Sequence, residues 1–104
     1  MPFVPALPLS ALPEGDRVGI RLGGHEIVLF RVDGRIHAFE DRCPHLGARL
    51  SEVGHVRAGT VICVLHCAKF DLETGRVLAI PAEEDLVRFA TRVVGGTIEI
   101  ELGD

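Results

Sequence analysis

Cys43-Pro44-His45 is followed, after the seventeen residues 46–62, by Cys63-Val64-Leu65-His66. Each short segment offers one thiolate and one imidazole, and two such segments on turns can close four ligands around one metal centre. By softness the set suits zinc, or iron in a sulfide cluster. Zinc sites of the Cys2His2 kind usually pair Cys with Cys and His with His. Here each segment is mixed. Two mixed pairs let both thiolates fall on one side of a dinuclear centre and both imidazoles on the other, the arrangement in which two His replace two Cys on one iron of a [2Fe–2S] cluster.

The wider pattern carries a resemblance. Cys43-Pro44-His45-Leu46-Gly47, then Cys63-Val64-Leu65-His66-Cys67-Ala68-Lys69-Phe70-Asp71 and Thr74-Gly75-Arg76-Val77, resemble a Rieske-type [2Fe–2S] ferredoxin. The likeness is to the small ferredoxin component of bacterial aromatic-ring-hydroxylating dioxygenase systems. It implies an all-β fold: a Rieske-type antiparallel β-sandwich with a small cluster-binding subdomain of two ligand loops, about residues 41–82, within a single domain over 1–104. It also implies one [2Fe–2S] cluster, with Cys43 and Cys63 on one iron and His45 and His66 on the other.

In that arrangement two ferric irons, two sulfides and two thiolates sum to a formally neutral centre, two negative charges fewer than a four-thiolate cluster carries. The potential is correspondingly higher. High-potential members of the family add a disulfide between the loops and hydroxyl donors to the cluster sulfurs. The corresponding places here hold Ala48, Leu65, Ala68 and Phe70, which implies a potential at the low end. The resemblance assigns the Pro81 segment to a third covering loop and lets Gly47 bring its amide close to the sulfides. Cys67 departs from the family's usual Gly after the second His; a redox pair with Cys63 is the alternative use of that thiol.

Composition agrees with such a carrier and excludes other classes. At 104 residues the chain holds one domain. Its formal net charge of −4 argues against nucleic acid, which requires a basic surface. Pro2, Pro5, Pro8 and Pro13 interrupt the apolar start and no Lys or Arg precedes Arg17, so a signal peptide is not expected. No apolar run reaches the length of a membrane span. Three cysteines, two of them wanted as ligands, build no disulfide framework and point to a reducing cytoplasm.

Outward from the motif, alternating apolar runs and turn residues predict strands throughout. Phe3 to Leu7 reads as an edge strand, Ser10 to Gly15 as a helical turn, and Val18–Leu22, Glu26–Val32 and Arg35–Phe39 as strands around Gly23-Gly24 and Asp33-Gly34. Arg49–Ser51, Glu52–Arg57 and Thr60–Ile62 read as short strands and turns. Phe70–Leu72 pairs with Arg76–Leu78, Pro81 to Asp85 forms an acidic loop, and Leu86–Val94 pairs with Thr97–Leu102 around Gly95-Gly96. His25, His37 and His55 have no ligand spacing and are expected on strands or the surface.

By resemblance, the chain takes electrons from an NAD(P)H-dependent flavoprotein ferredoxin reductase and passes them to a terminal Rieske oxygenase. It is an electron-transfer component and not an enzyme in its own right. The rival readings are the small subunit of an assimilatory nitrite reductase and a zinc-stabilised binding module.

Overall fold

The computed structural model describes residues 2–44, 48–63, 68–79 and 84–102. Among the described residues ten strands run β1 (Phe3–Pro8), β2 (Arg17–Leu22), β3 (His25–Val32), β4 (Arg35–Glu40), β5 (Gly54–Arg57), β6 (Thr60–Cys63), β7 (Ala68–Asp71), β8 (Val77–Ala79), β9 (Arg88–Val94) and β10 (Thr97–Glu101). Six form one antiparallel sheet in the order β1-β10-β9-β4-β3-β2, and β5-β6-β7-β8 form a second. The all-β expectation holds, and β1 is an edge strand, bulged between Pro5 and Leu7.

Strand β3 explains how two sheets share one chain of this size. Ile27, Val28, Leu29 and Phe30 are all at most 2% exposed, because the strand is covered on both faces. Val28 and Phe30 pack with Phe39, Leu50, Val61 and Phe70 toward the second sheet. Ile27 and Leu29 face the other way and join Leu12, Ala38, Phe89, Ile98 and Ile100. A strand with period-two side chains reads as a continuous apolar run when both faces are buried.

Two local readings change. Residues expected as strand and turn around Leu50 form a single helical turn, α1 (Leu50–Val53). The turn carries Leu50, which is fully covered in the first core. Gly54 ends the turn with its N–H on the Leu50 carbonyl, so close that a Cβ would sit 2.8 Å from that oxygen. The helical turn expected over Ser10–Gly15 is instead a 3-10 turn over Leu9–Ala11. It stops there because Leu12 enters the second core, and Glu14 is used elsewhere, accepting from the N–H groups of Asp33 (2.6 Å) and Gly34 (2.7 Å).

Among the described residues, four two-residue hairpin turns have both central residues at positive φ: Gly23-Gly24, Asp33-Gly34, Ala58-Gly59 and Gly95-Gly96. This is the demand of a type I′ turn, whose twist matches the flanking strands. Ala58 meets it without a suitable side chain, at φ +51°. Left-handed backbone costs an ordinary L-residue roughly 1–2 kcal/mol, whereas Asn tolerates it. Ala58→Asn is therefore expected to stabilise the protein by about 0.5–1 kcal/mol, read as a higher urea midpoint at an unchanged m value.

Candidate metal centre

Cys43 and Cys63, the two cysteines expected as ligands, reach the same core by different routes. Cys63 closes β6 and sits in the ladder, opposite Gly54 on one side and Ala68 on the other. Cys43 lies three residues beyond the end of β4, outside any strand, and its N–H donates to the Ala48 carbonyl at 2.7 Å, closing the first loop on itself. Both are fully buried, in one cluster with Phe39, Leu50, Ala68 and Phe70. Residues twenty apart in sequence are thus held in one apolar environment at the roots of two loops. His45 and His66 lie outside the described residues, as do Leu46, Gly47, Leu65, Cys67 and Pro81.

The root of the first loop is held by side-chain hydrogen bonds that sequence patterning did not reveal. Asp41, only 5% exposed, accepts from the Ser51 N–H at 2.7 Å and from the Ser51 hydroxyl at 2.6 Å. Its own N–H donates to the Glu26 carbonyl at 2.8 Å. The bonds join the two ends of the loop across ten residues. The only signal in the sequence is the Asp-Arg-Cys beginning and the Leu-Ser end, and neither has a period.

Residues 84–87 lie at the same end of the molecule as the first loop. Asp85 accepts from the Val77 N–H at 2.8 Å, and the Leu86 N–H donates to the Gly75 carbonyl at 2.7 Å. Glu84, Asp85 and the half-exposed Val87 line a cleft of about 120 Å3 with Arg42 and Pro44. Two members of the acidic run therefore flank the first loop; Glu83 falls outside the described residues.

The remaining histidines sit on strands, as expected. His25 opens β3 with its ring edge-on to Phe89, 5.6 Å between centroids, and His55 is exposed on β5. His37 is half-buried on β4. Among the described residues no three His, Cys, Asp or Glu gather elsewhere into a rival metal site.

Residues 3–90 match the family described as the Rieske [2Fe–2S] domain. The chain belongs to that family. It is 33% identical over 100 residues to the ferredoxin component of the naphthalene 1,2-dioxygenase system of Pseudomonas aeruginosa, covering 96% of this chain and 95% of the relative. It is 40% identical over 97 residues to the 3-phenylpropionate/cinnamic acid dioxygenase ferredoxin subunit of Escherichia coli strain K12, covering 93% and 91%. It also superposes on a chain of the solved complex of reduced oxygenase and oxidized ferredoxin in carbazole 1,9a-dioxygenase, with a TM-score of 0.83 and 26% identity over 94% of this chain and 91% of that one.

The cofactor of this Rieske ferredoxin is one [2Fe–2S] cluster, and the described half of the donor set fits it. Two buried thiol positions share one cluster of apolar side chains, and each stands beside a segment that carries an imidazole. The zinc reading is set aside by the family. Among the described residues no helix is long and apolar enough to cross a membrane.

His37 lies half-buried on β4 between charged neighbours of both signs. Burial holds the His37 imidazole below its ordinary pKa of 6.5; Arg35 and Arg88 push the same way, against Glu73 and Asp71. A lowered folded pKa means that below 6.5 the unfolded chain binds a proton the folded chain resists. His37 thus contributes stability above that pH, and the contribution is lost as pH falls below it. The urea midpoint should drop between about pH 7 and about pH 5.5, and His37→Gln should shrink that drop. Equal drops in both proteins would contradict the assignment.

Proposed function

We propose that this Rieske ferredoxin is a one-electron carrier acting between an NAD(P)H-dependent flavoprotein ferredoxin reductase and a terminal Rieske non-haem iron oxygenase that attacks an aromatic ring, in the cytoplasm. The observation that carries the reading is the burial of Cys43 and Cys63 in one core cluster, at the roots of two loops that each also hold a His. Cys43 and Cys63 hold one iron as thiolates, and His45 and His66 hold the other as neutral imidazoles. Residues 1–104 act as a single domain, with the cluster-binding subdomain at about 41–82. The relatives support the oxygenase as partner, since they are named as ferredoxin components of dioxygenase systems. No observation favours the nitrite reductase alternative.

When bound, the cluster supplies reversible one-electron chemistry. The chain holds it, excludes water and sets its potential. Ala68 and Phe70 are fully buried on β7, and neither side chain can donate a hydrogen bond. Donors to sulfur stabilise the more negative, reduced state, so their lack lowers the potential.

The ligand assignment is tested by substitution. Cys43→Ser and Cys63→Ser should lose iron and stability together, because ligation ties the two loops. His45→Ala and His66→Ala should abolish the Rieske electron paramagnetic resonance signal. An unchanged signal in both His variants would defeat the assignment. The carrier role is tested by mixing the protein with a flavoprotein reductase and NAD(P)H, then with a terminal oxygenase: reduction followed by reoxidation is expected.

The midpoint potential should lie at the low end of the Rieske range, roughly −150 mV. Ala68→Ser should raise it. Voltammetry at neutral pH giving a clearly positive value for the unmodified protein would refute the argument from missing donors.

A further inference from the structure

We propose that Asp41, Ser51, Gly19 and Arg17 form a polar clasp that positions the first ligand loop, so that Asp41 and Ser51 are positioning residues for the cluster. The proposal rests on the reading that Cys43 and His45 are ligands.

The loop leaves β4 at Glu40 and re-enters regular structure at Leu50. Asp41 and Ser51 join its two ends through both carboxylate oxygens. The joint is seated on β2: a Cβ at Gly19 would lie 2.7 Å from the Ser51 hydroxyl oxygen, 2.9 Å from Asp41 Oδ2 and 2.9 Å from Ser51 Cβ. Only a residue without a side chain leaves that space. From the same strand, Arg17 Nε donates to the Ser51 carbonyl at 2.9 Å. Inside the joint, the Cys43 N–H is already committed to Ala48.

Asp41 is the sole buried charged side chain among the described residues. Burying a carboxylate carries a desolvation cost, and an apolar pair could close the loop without it. Directional bonds do what apolar contact cannot: they fix the loop root in both distance and angle. Metal ligation tolerates errors of only about 0.2 Å in its ligand distances. A loop whose first ligand lies two residues from Asp41, and outside any strand, needs that fixing. Cys63, placed by ladder pairing on both sides, does not.

The test uses the holoprotein and compares Ser51→Ala and Gly19→Ala with Ile98→Val, a small cavity in the second core remote from the loop. Each is followed for iron release to a chelator, for the g values of the reduced cluster, and for urea midpoint. Groups that hydrogen-bond behind metal ligands typically tune affinity by roughly 10–100-fold. Ser51→Ala and Gly19→Ala should therefore release iron roughly tenfold faster and shift the g values. Ile98→Val should lower the midpoint yet keep the unmodified g values and release rate. Gly19→Ala is the more telling variant, since it lies twenty-four residues before Cys43. If both clasp variants kept the g values and released iron no faster than Ile98→Val, the clasp would be a fold contact only and the proposal overturned. A Cys43→Ser protein with an unchanged Rieske signal would instead overturn the ligand reading on which it rests.

Discussion

Burial of β3 on both faces is the constraint on which the rest of the molecule depends. Four successive side chains, Ile27 to Phe30, leave water together, each worth about 1.5–3 kcal/mol of transfer free energy. Because they alternate in direction, they build two cores instead of one thick one. Strand β4 repeats the division, with Ala38 in one core and Phe39 in the other. The β3–β4 hairpin is thus a partition wall, pinned at its turn by the Glu14 carboxylate. The first ligand loop grows from the end of that wall. Packed interiors deform little, so a loop rooted there inherits a stiff base.

Stiffness at the base does not by itself place a ligand, and the two loops meet this problem in opposite ways. The second places Cys63 by backbone pairing, where the ladder fixes position residue by residue. The first leaves the ladder before Cys43, and side-chain hydrogen bonds take over. Backbone pairing survives most side-chain changes, whereas the Asp41–Ser51 joint depends on two particular side chains and on an empty Cβ position at Gly19. The two halves of the proposed metal centre therefore differ in how much sequence change they tolerate.

The same distinction governs what could be read without coordinates. The cysteines and histidines of the proposed centre stand out in the sequence because ligand chemistry restricts residue type and local spacing. The turns at Gly23-Gly24, Asp33-Gly34 and Gly95-Gly96 were legible because positive φ selects Gly and Asp. Ala58-Gly59 gave a weaker signal, since Ala carries no preference for the conformation it adopts. One helical turn at Leu50–Val53 is too short to show a period, and it exists to bury a single leucine. Asp41 and Ser51 look like loop residues until Gly19, from a strand more than twenty residues earlier, is brought beneath them.

Charge is distributed with the same economy. Among the described residues, carboxylates on two strands and in two turns pair with arginines: Glu26 with Arg49 and Glu99 with Arg92, Glu14 with Arg31 and Glu73 with Arg35. Exposed pairs of this kind add little stability, typically below about 1 kcal/mol, but they cancel the field at a distance. Glu84 stands outside those pairs among the described residues, beside Pro44 and at the same end as the first ligand loop. Screening at physiological salt confines an exposed charge to within about 8 Å. Of the net −4, the part a partner senses on approach to the cluster is therefore set by the charges nearest that end. A carrier that must bind briefly and release gains from this: a few local charges orient the encounter, and the paired remainder adds no lasting hold.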